Sequence, residues 1–342
     1  MFLYFYNITS RFAVPNQFSE RPMESNSSSV HGLHHVTAIS GEPRATLDFY
    51  QRVLGLRLVK RSVNQDAPET YHLFFADGAG SPGTDLTFFP WPDLPPGQPG
   101  VGQVVEIPLA VPQGTMDYWQ DRLVEAGAEV AERSKRFGEP TLAFTDPDGM
   151  RLAIVETSDE REFTPWEESP VPVDKQIRGM HSVRIWERRL EATEAVLTRV
   201  MGLEKVGEDD GWHRYGIDGR SGTLAEIKIV DDGQHGQGGP GTVHHAAWRM
   251  NNSEEQLSLR SRVAEVGLRP SEQIDRFWFQ SVYFREPGGV LFELATDGPG
   301  FTADEDLEHL GEELILPPWL EDRREEIEAA LPPLENPVDG TS

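Results

Sequence analysis

Short runs of alternating apolar and polar residues recur along the chain, and the first of them begins a unit that repeats. Leu33 to Ile39 has the alternation of a half-buried strand. A helix is predicted from Pro43, because Leu47, Tyr50, Val53 and Leu54 follow at helical spacing. Turn residues then separate two further predicted strands, at 71–75 and 84–89. The pattern therefore predicts one strand, one helix and several closing strands.

The same order of elements occurs three more times. The second unit has a strand at 103–107, a helix at 116–126 and a closing strand at 151–155. The third opens at 179–183, has a helix at 190–201 and ends in 223–230. The fourth opens at Val243, has a helix at 254–266 and ends at Ala295. Four repeated units are therefore predicted.

Composition shifts indicate where the repeats begin and end. Residues 1–30 are polar and Ser-rich, which predicts a disordered leader, and either Met1 or Met23 is the start residue. The Pro-rich and acidic stretch at 161–178 is typical of a linker. We therefore predict an N-terminal domain at 31–160, a C-terminal domain at 179–300, and a tail at 301–342 with one helix near 321–330.

Charge and composition exclude several classes of protein. The 342 residues contain no cysteine, which excludes disulfides, zinc-thiolate sites, iron-sulfur clusters and cysteine nucleophiles. The formal charge of −26 argues against a nucleic-acid partner and favours a protein that works in high salt. No apolar run approaches the about 20 residues of a membrane span. We predict a cytoplasmic protein with no membrane partner, and a homo-oligomer stays open.

A pair of histidines stands in the opening strand of both the first and the fourth unit, as His34-His35 and His244-His245. A Pro-Gly-Gly turn in the fourth unit precedes a strand that contains Glu293. Two imidazoles and one carboxylate form the ligand set that holds divalent iron on one face and leaves positions open for substrate and oxygen.

Superposing the units on one another tests this interpretation. The histidine position is Ser182 in the third unit, and the Glu293 position is Ala153 in the second unit and Phe88 in the first, counted from the turn prolines. The ligand-type residues are thus confined to units one and four. If these two units pack together, the three side chains meet in one site, and units two and three form a metal-free support.

Strand geometry allows only one histidine of each pair to be a ligand, because successive side chains point to opposite faces. The neighbouring histidine must have another role. Several other histidines have no matching partner in the repeats, and we interpret them as surface or core residues. These are His72, His213, His235 and His309.

The repeats and the histidine pairs, together with three local segments, resemble the vicinal oxygen chelate superfamily of glyoxalases, bleomycin resistance proteins and extradiol dioxygenases. Within it the chain most resembles the hydroquinone-type ring-cleaving dioxygenases. The resemblance extends from about His31 to Pro333. The segments that carry it are 49–55, 75–77 with 82–84, and 276–293.

The resemblance implies a fold, a metal and a reaction. The fold is α+β, with four βαβββ modules that form two paired-module domains with cupped mixed sheets. The second histidine of each pair binds iron(II) together with the carboxylate, and manganese(II) stays open. The reaction is extradiol-type insertion of O2 into a hydroquinone or related dihydroxy-aromatic ring. The implied ligands are His35, His245 and Glu293, and the implied catalytic residues are His34, Thr37, His244, Arg276 and Tyr283.

Two other classes of function remain open. A glyoxalase-like isomerase or lyase would need a fourth protein ligand, and Phe88 stands where that carboxylate would be. A metal-free aromatic-binding or drug-binding protein would have no need of three ligand-type residues. Arg276 is either a site residue or part of a surface ion pair. Four aromatic residues are candidates for either the ring pocket or the core: Trp248, Phe277, Trp278 and Phe279.

Overall fold

A computed structural model describes residues 29–159 and 161–334, and most of the predicted leader and the choice of start residue lie outside them. Unit one begins with strand β1 at Leu33–Ser40 and helix α1 at Pro43–Leu47. The helix continues as a π-helical turn over Asp48–Val53. Strands β2 to β4 follow at Arg57–Asn64, Ala67–Ala76 and Asp85–Pro90. Unit two contains β5 at Gln103–Pro112, α2 at Met116–Glu125, and β6 to β8 at Ser134–Arg136, Glu139–Thr145 and Arg151–Thr157.

The second half of the chain repeats this order. Unit three contains β9 at Ser182–Glu187, α3 at Glu191–Ala195 with a π-helical continuation over Val196–Val200, and β10 to β12 at Glu204–Asp209, Trp212–Gly216 and Leu224–Ile229. Unit four contains β13 at Thr242–Met250, α4 at Ser253–Glu265, and β14 to β16 at Ile274–Asp275, Gln280–Arg285 and Leu291–Thr296. The four predicted units are confirmed.

The sixteen strands form two mixed sheets of eight strands each. The first sheet has the order β14-β15-β16-β13-β1-β4-β3-β2, and the second has the order β10-β11-β12-β9-β5-β8-β7-β6. Units one and four therefore share a sheet through β1 and β13, and units two and three share the other through β5 and β9. The α+β class with cupped mixed sheets is confirmed.

Each sheet contains one unit from either side of the predicted linker at 161–178. This segment packs against unit one, where Gly78 N donates to Thr164 O at 2.8 Å and Trp166 is buried. Val171 is buried as well, against Gly55. The division into domains at 31–160 and 179–300 stays a prediction.

The helices begin where local sequence favours a helix start. Pro43 stands in the first turn of α1, where its missing N–H costs nothing. The side chain of Asn252 caps α4 by accepting a hydrogen bond from Glu255 N at 3.0 Å. Among the described residues, none of the helices has the length and apolar character that crossing a membrane requires.

Strand β2 is absent from the sequence-based prediction, because its pattern contains a charged residue on a buried face. Lys60 is fully buried, and its ammonium group contacts Asp304 at 2.7 Å and Glu305. Both carboxylates come from the tail, which therefore covers this edge of unit one. The predicted tail helix is confirmed as a 3₁₀ turn at Pro318–Arg323 followed by α5 at Arg324–Ala330.

Candidate metal centre and the cleft above it

Three side chains from three neighbouring strands of the first sheet converge on one point. They are His35 on β1, His245 on β13 and Glu293 on β16. Nε2 of His35 lies 3.2 Å from Nε2 of His245. Oε2 of Glu293 lies 3.3 Å from Nε2 of His35 and 2.9 Å from Nε2 of His245. All three residues are buried, so units one and four bring together the three ligand-type residues named from the sequence.

The strand register accounts for this convergence. His35 pairs with Ala247, which in turn pairs with Glu293, so these side chains project from the same face of the sheet. His245 pairs with Thr37, two residues along β1 from His35, and alternate residues of a strand share a face. The pairing of β1 with β13 therefore brings the ligand-type residues of both units to one place.

The donor atoms fit a divalent metal ion. Oε2 of Glu293 is buried and has no hydrogen-bond partner among the described residues, although two ring nitrogens face it. Its other oxygen accepts a hydrogen bond from Ser281 Oγ at 2.5 Å. Ligand atoms at right angles, each about 2.1 Å from an ion, are about 3 Å apart, close to the edges of this triangle. Two nitrogens and one oxygen also match the 2-His-1-carboxylate donor set.

The protonation states of Glu293 and His245 suit metal binding. Burial alone would raise the pKa of the Glu293 carboxyl, but the facing rings of His35 and His245 outweigh it and hold this pKa well below its usual value. Burial lowers the pKa of His245, against the attraction of Glu293. The carboxyl is thus ionised and the His245 ring favours its neutral form, as metal ligation requires.

His34 and His244 each lie at a one-residue shift in the pairing of β1 with β13, the mark of a β-bulge. Each ring turns back toward its neighbour: the Nδ1 atoms of His34 and His35 lie 2.9 Å apart, and those of His244 and His245 lie 2.8 Å apart. A neutral imidazole that offers Nε2 to a metal carries its proton on Nδ1. Each ligand then donates a hydrogen bond that fixes the orientation of its ring.

These two histidines are separate from the space above the ligands. Neither His34 nor His244 is among the described residues that line the cleft. Burial lowers the pKa of both rings to about 3. The contacts support a role in orienting the ligands, and the catalytic role that the sequence assigns to them stays a prediction.

A cleft lined by His35 and His245 opens beside the buried carboxylate of Glu293. Two of the four aromatic candidates, Trp278 and Phe279, line it together with Phe74 and Phe89. Trp248 instead packs in the core against Phe292, and the ring of Phe277 lies against Trp319.

The other three predicted residues lie around the ligands. Arg276 lines the cleft and donates to Asp66 at 2.9 Å, so it forms an ion pair, and its catalytic role stays a prediction. Its guanidinium lies 5.6 Å from the centre of the Tyr283 ring. Tyr283 stands edge-on to His245 at 5.7 Å, and burial raises the pKa of its phenol above the usual value. The Thr37 hydroxyl lies 3.0 Å from Nε2 of His245.

Three polar residues without an assigned role in the sequence analysis also belong to the site. His72, which the sequence analysis interpreted as a surface or core residue, instead lines the cleft, and its Nε2 lies 3.0 Å from the hydroxyl of Thr87. That hydroxyl lies 2.7 Å from the one on Thr37. Ser281 holds the inner oxygen of Glu293. The His-His pairs gave no signal for these residues, but their alternation along β3, β4 and β15 places them on the same face as the ligands.

The first unit has threonine where the fourth has its carboxylate. In unit four, Glu293 pairs with Ala247, which lies two positions after His245. In unit one, Thr87 pairs with Thr37, which lies two positions after His35. The assignment of Phe88 to this position was wrong, because the turn before β4 is one residue shorter than the turn before β16. Phe88 instead packs in the core at 4.3 Å from Tyr50.

Comparison with known proteins supports one family. A family model described as the Glyoxalase/Bleomycin resistance protein/Dioxygenase superfamily matches residues 32–154 and 179–294. A Bacillus subtilis (strain 168) protein, named provisionally as the ring-cleaving dioxygenase MhqO, is 43% identical over 304 residues, covering 89% of this chain and 96% of its own.

Two further relatives agree with this family. The chlorohydroquinone/hydroquinone 1,2-dioxygenase of Sphingobium indicum is 35% identical over 305 residues, covering 87% of this chain and 95% of its own. The crystal structure of a Bacillus subtilis protein described provisionally as a dioxygenase has a TM-score of 0.85 at 41% identity, covering 91% of this chain and 99% of that chain. This chain therefore belongs to the glyoxalase/bleomycin resistance protein/dioxygenase superfamily.

Proposed function

We propose that this protein is an extradiol-type ring-cleaving dioxygenase that uses a divalent iron ion. The observation that carries the proposal is the triangle of His35, His245 and Glu293 at the base of an aromatic-walled cleft. Such a triad occupies three positions of an octahedral ion and leaves the others for substrate and dioxygen. The named activities of the relatives from Bacillus and Sphingobium support a ring-cleaving dioxygenase.

The proposed substrate is a hydroquinone or a related dihydroxy-aromatic compound, with O2 as the second substrate. The name of the Sphingobium relative supports hydroquinone and chlorohydroquinone. A cleft walled by Phe74, Phe89, Trp278 and Phe279 suits one flat apolar ring with few substituents. The product is a semialdehyde, or an acyl halide that hydrolyses when a halogenated carbon is attacked.

The donor set favours iron(II) and also accepts manganese(II), because both ions accept nitrogen and oxygen ligands. When bound, the ion holds the diol beside dioxygen and lets the electron-rich ring reduce it. Ser281 holds one oxygen of Glu293, which leaves the other directed at the two imidazoles. His34 and His244 accept from the ligand rings and so keep Nε2 of each ring available.

The remaining polar residues act on the substrate. The raised pKa keeps the Tyr283 phenol protonated, so it donates hydrogen bonds toward oxygens near Glu293. Arg276 is held by Asp66 and places a positive charge at the cleft wall, which stabilises anionic forms of the ring. Thr37 offers a hydroxyl beside His245. These groups favour a phenolate over a neutral phenol in the cleft.

The isomerase alternative is disfavoured by the residue opposite Glu293. A fourth carboxylate ligand would have to stand at Thr87, and this position has a hydroxyl instead. The metal-free binding protein is disfavoured by the buried carboxylate of Glu293, which two ligand-type imidazoles face. A buried carboxylate is costly unless a cation completes its surroundings.

Oxygen uptake by anaerobically iron-loaded protein tests the proposal, with hydroquinone, chlorohydroquinone, catechol and the methylglyoxal-glutathione adduct as substrates. We expect uptake with a hydroquinone, one bound metal per chain, and loss of both in Glu293→Ala. Glu226→Gln is the matched control, because Glu226 is a buried carboxylate of the second sheet. This variant should keep its metal and its activity.

The possible outcomes separate the three functions. Bound metal without oxygen uptake on any ring, together with conversion of the glutathione adduct, would favour the isomerase. Phenol binding without metal would favour a binding protein. The same assay at increasing salt concentration tests the predicted high-salt habitat, for which activity should be maintained or rise. The cytoplasmic location and a homo-oligomeric state stay predictions.

A further inference from the structure

We propose that His72 binds the second hydroxyl of the aromatic diol, the one that points away from the metal ligands, and accepts its hydrogen bond through Nδ1. The inference rests on the proposed function and makes it more specific, because it selects para-diols over single phenols. His72 would thus be a specificity-determining residue that the histidine pairs do not reveal.

The position of His72 in the first sheet supports this role. The ligands lie on the adjacent strands β16, β13 and β1, and His72 lies on β3, beyond β4. Two strand spacings, about 10 Å, separate the backbones of β1 and β3. Tyr283, on β15, flanks the ligands on the opposite side. A ring bound between these residues therefore has His72 at the end that faces away from Tyr283.

The imidazole of His72 is held in place. Its ring lies 3.9 Å from the ring of Phe74 and 4.4 Å from that of Phe89, measured between centres. Nε2 is engaged with the hydroxyl of Thr87 at 3.0 Å. No described residue forms a hydrogen bond with Nδ1, although the ring lines the cleft. One nitrogen thus fixes the ring and the other is available to a ligand.

A chain of hydrogen bonds links His72 to the ligands. The Thr37 hydroxyl lies 3.0 Å from Nε2 of His245 and 2.7 Å from the hydroxyl of Thr87, which in turn lies 3.0 Å from Nε2 of His72. In the tautomer that the proposal requires, Nε2 donates to Thr87 and Nδ1 is left as an acceptor. Burial lowers the pKa of His72 well below its usual value, which agrees with a neutral ring.

The equivalent residue of unit four shows what is particular to His72. Tyr283 pairs with Glu293 in unit four, and Phe74 pairs with Thr87 in unit one, so Tyr283 and Phe74 occupy equivalent positions. Ser281 and His72 each lie two residues earlier on the same strands and are therefore equivalent as well. Ser281 contacts Glu293 just as His72 contacts Thr87. The hydroxyl of Ser281 is the one polar atom of its side chain, whereas the ring of His72 has a second polar atom, Nδ1. Unit one therefore has an acceptor at a place where unit four has none.

Phenols that differ at the para position test this acceptor. A lone pair at Nδ1 binds a para-hydroxyl, which donates, but gains nothing from a para-methoxy group or from hydrogen. Anaerobic calorimetry on the manganese-loaded full chain would measure the binding of hydroquinone, 4-methoxyphenol and phenol. We expect hydroquinone to bind about 3–10-fold more tightly than the other two, as one hydrogen bond provides.

Two variants of His72 separate the proposed contact from a general effect on folding. His72→Phe removes both nitrogens, whereas His72→Gln retains a donor for Thr87 and loses the acceptor. Both should bind the three phenols within about twofold of one another, with the affinity for phenol itself unchanged. His309→Gln is the matched control, because this histidine is exposed. It should keep the preference for hydroquinone.

The outcomes distinguish this inference from the proposed function. If both variants keep the preference for hydroquinone while wild type cleaves it, His72 does not bind the second hydroxyl and the dioxygenase stands. If wild type binds none of the three phenols and consumes no oxygen with any diol, both proposals fail. A rise in KM for hydroquinone in both variants, larger than any fall in kcat, would support the contact.

Discussion

The two sheets bury polar side chains in different ways. Across the second sheet, strand pairing aligns Arg214, Glu226, Arg184 and Glu106 in one row of alternating charge. Each neighbouring pair forms an ion pair, at 2.9, 2.9 and 3.2 Å. This row is therefore neutralised by its own side chains and needs no ligand.

The corresponding place in the first sheet lacks such compensation. Two ring nitrogens and a carboxylate oxygen converge there, and the groups that face this oxygen are imidazoles, which must be neutral to ligate a metal, where the second sheet has guanidinium groups. The charges of the second sheet are paired internally, whereas those of the first converge on a point that a cation would occupy. The same architecture thus supports a closed ion-pair network in one sheet and a candidate metal site in the other.

The largest effect is expected from removing one charge from the row in the second sheet. Arg184→Met keeps the length of the side chain but removes the cation between two buried carboxylates, so that Glu226 is left with Arg214 alone and Glu106 with Arg136 alone. We expect a loss of about 3–5 kcal/mol in the free energy of unfolding, measured with urea. Arg188→Met, at an exposed arginine, is the control and should lose less than about 1 kcal/mol. Equal losses would show that the row is not a structural network.

A smaller effect is expected when metal is added to the first sheet. Manganese(II) at about 100 times its dissociation constant should stabilise the wild type by about 2.7 kcal/mol. Glu293→Gln should lose this gain, because a neutral amide replaces the carboxylate that faces the two imidazoles. Glu226→Gln should keep the gain from metal despite lower stability. Metal stabilisation of Glu293→Gln would place the site elsewhere.

The difference between the sheets also explains which parts of the site the sequence predicts. His35, His245 and Glu293 stand out because a rare pair of residues recurs in the same place of a repeated unit. His72 and Ser281 share no such repeat, since equivalent positions have different residues. Their roles depend on the pairing of β3 with β4 and of β15 with β16, which links residues far apart in sequence.

The fold follows a similar division. The alternation of apolar residues predicts the units, because each strand has one face in the core. It misses β2, where Lys60 is buried against carboxylates of the tail more than 240 residues away. It also gives no signal for the bulges at His34 and His244, which depend on how β1 meets β13. Pairing between distant segments is what local patterns omit.

The first sheet also contains a buried charge network, and we expect an intermediate effect there. Lys60 contacts Asp304, which also accepts from Trp278 Nε1 at 3.0 Å, so the network holds a wall of the cleft. Lys60→Met should cost about 2 kcal/mol, less than Arg184→Met because the carboxylates retain some access to water. The KM for hydroquinone should rise several-fold. An unchanged KM would separate this network from the cleft. Lys228→Met, at a more exposed lysine, is the control for both measurements.

The smallest effect is expected where the two sheets meet, and it depends on pH. Glu187 of β9 is buried beside Glu286, whose carboxylate accepts from Thr193 Oγ1 at 2.6 Å and from Val290 N at 2.8 Å. Burial and the charge of Glu286 raise the pKa of Glu187 from 4.5 to about 10. Glu187 is thus protonated in the folded protein at neutral pH and ionised in the unfolded chain.

The sign of the pH effect follows from this raised pKa. Stability from Glu187 is fully present below about pH 4.5 and is lost progressively as the pH rises toward 10. Glu187→Gln keeps a donor for Glu286 and cannot ionise, so its unfolding free energy should exceed that of wild type by about 1–2 kcal/mol at pH 5.5 and by less than about 0.5 kcal/mol at pH 4.5. Denaturant titrations at both values measure this difference. A difference that is the same at both values would mean that Glu187 is ionised in the folded protein, and the contact between the sheets would then have to contain a compensating cation.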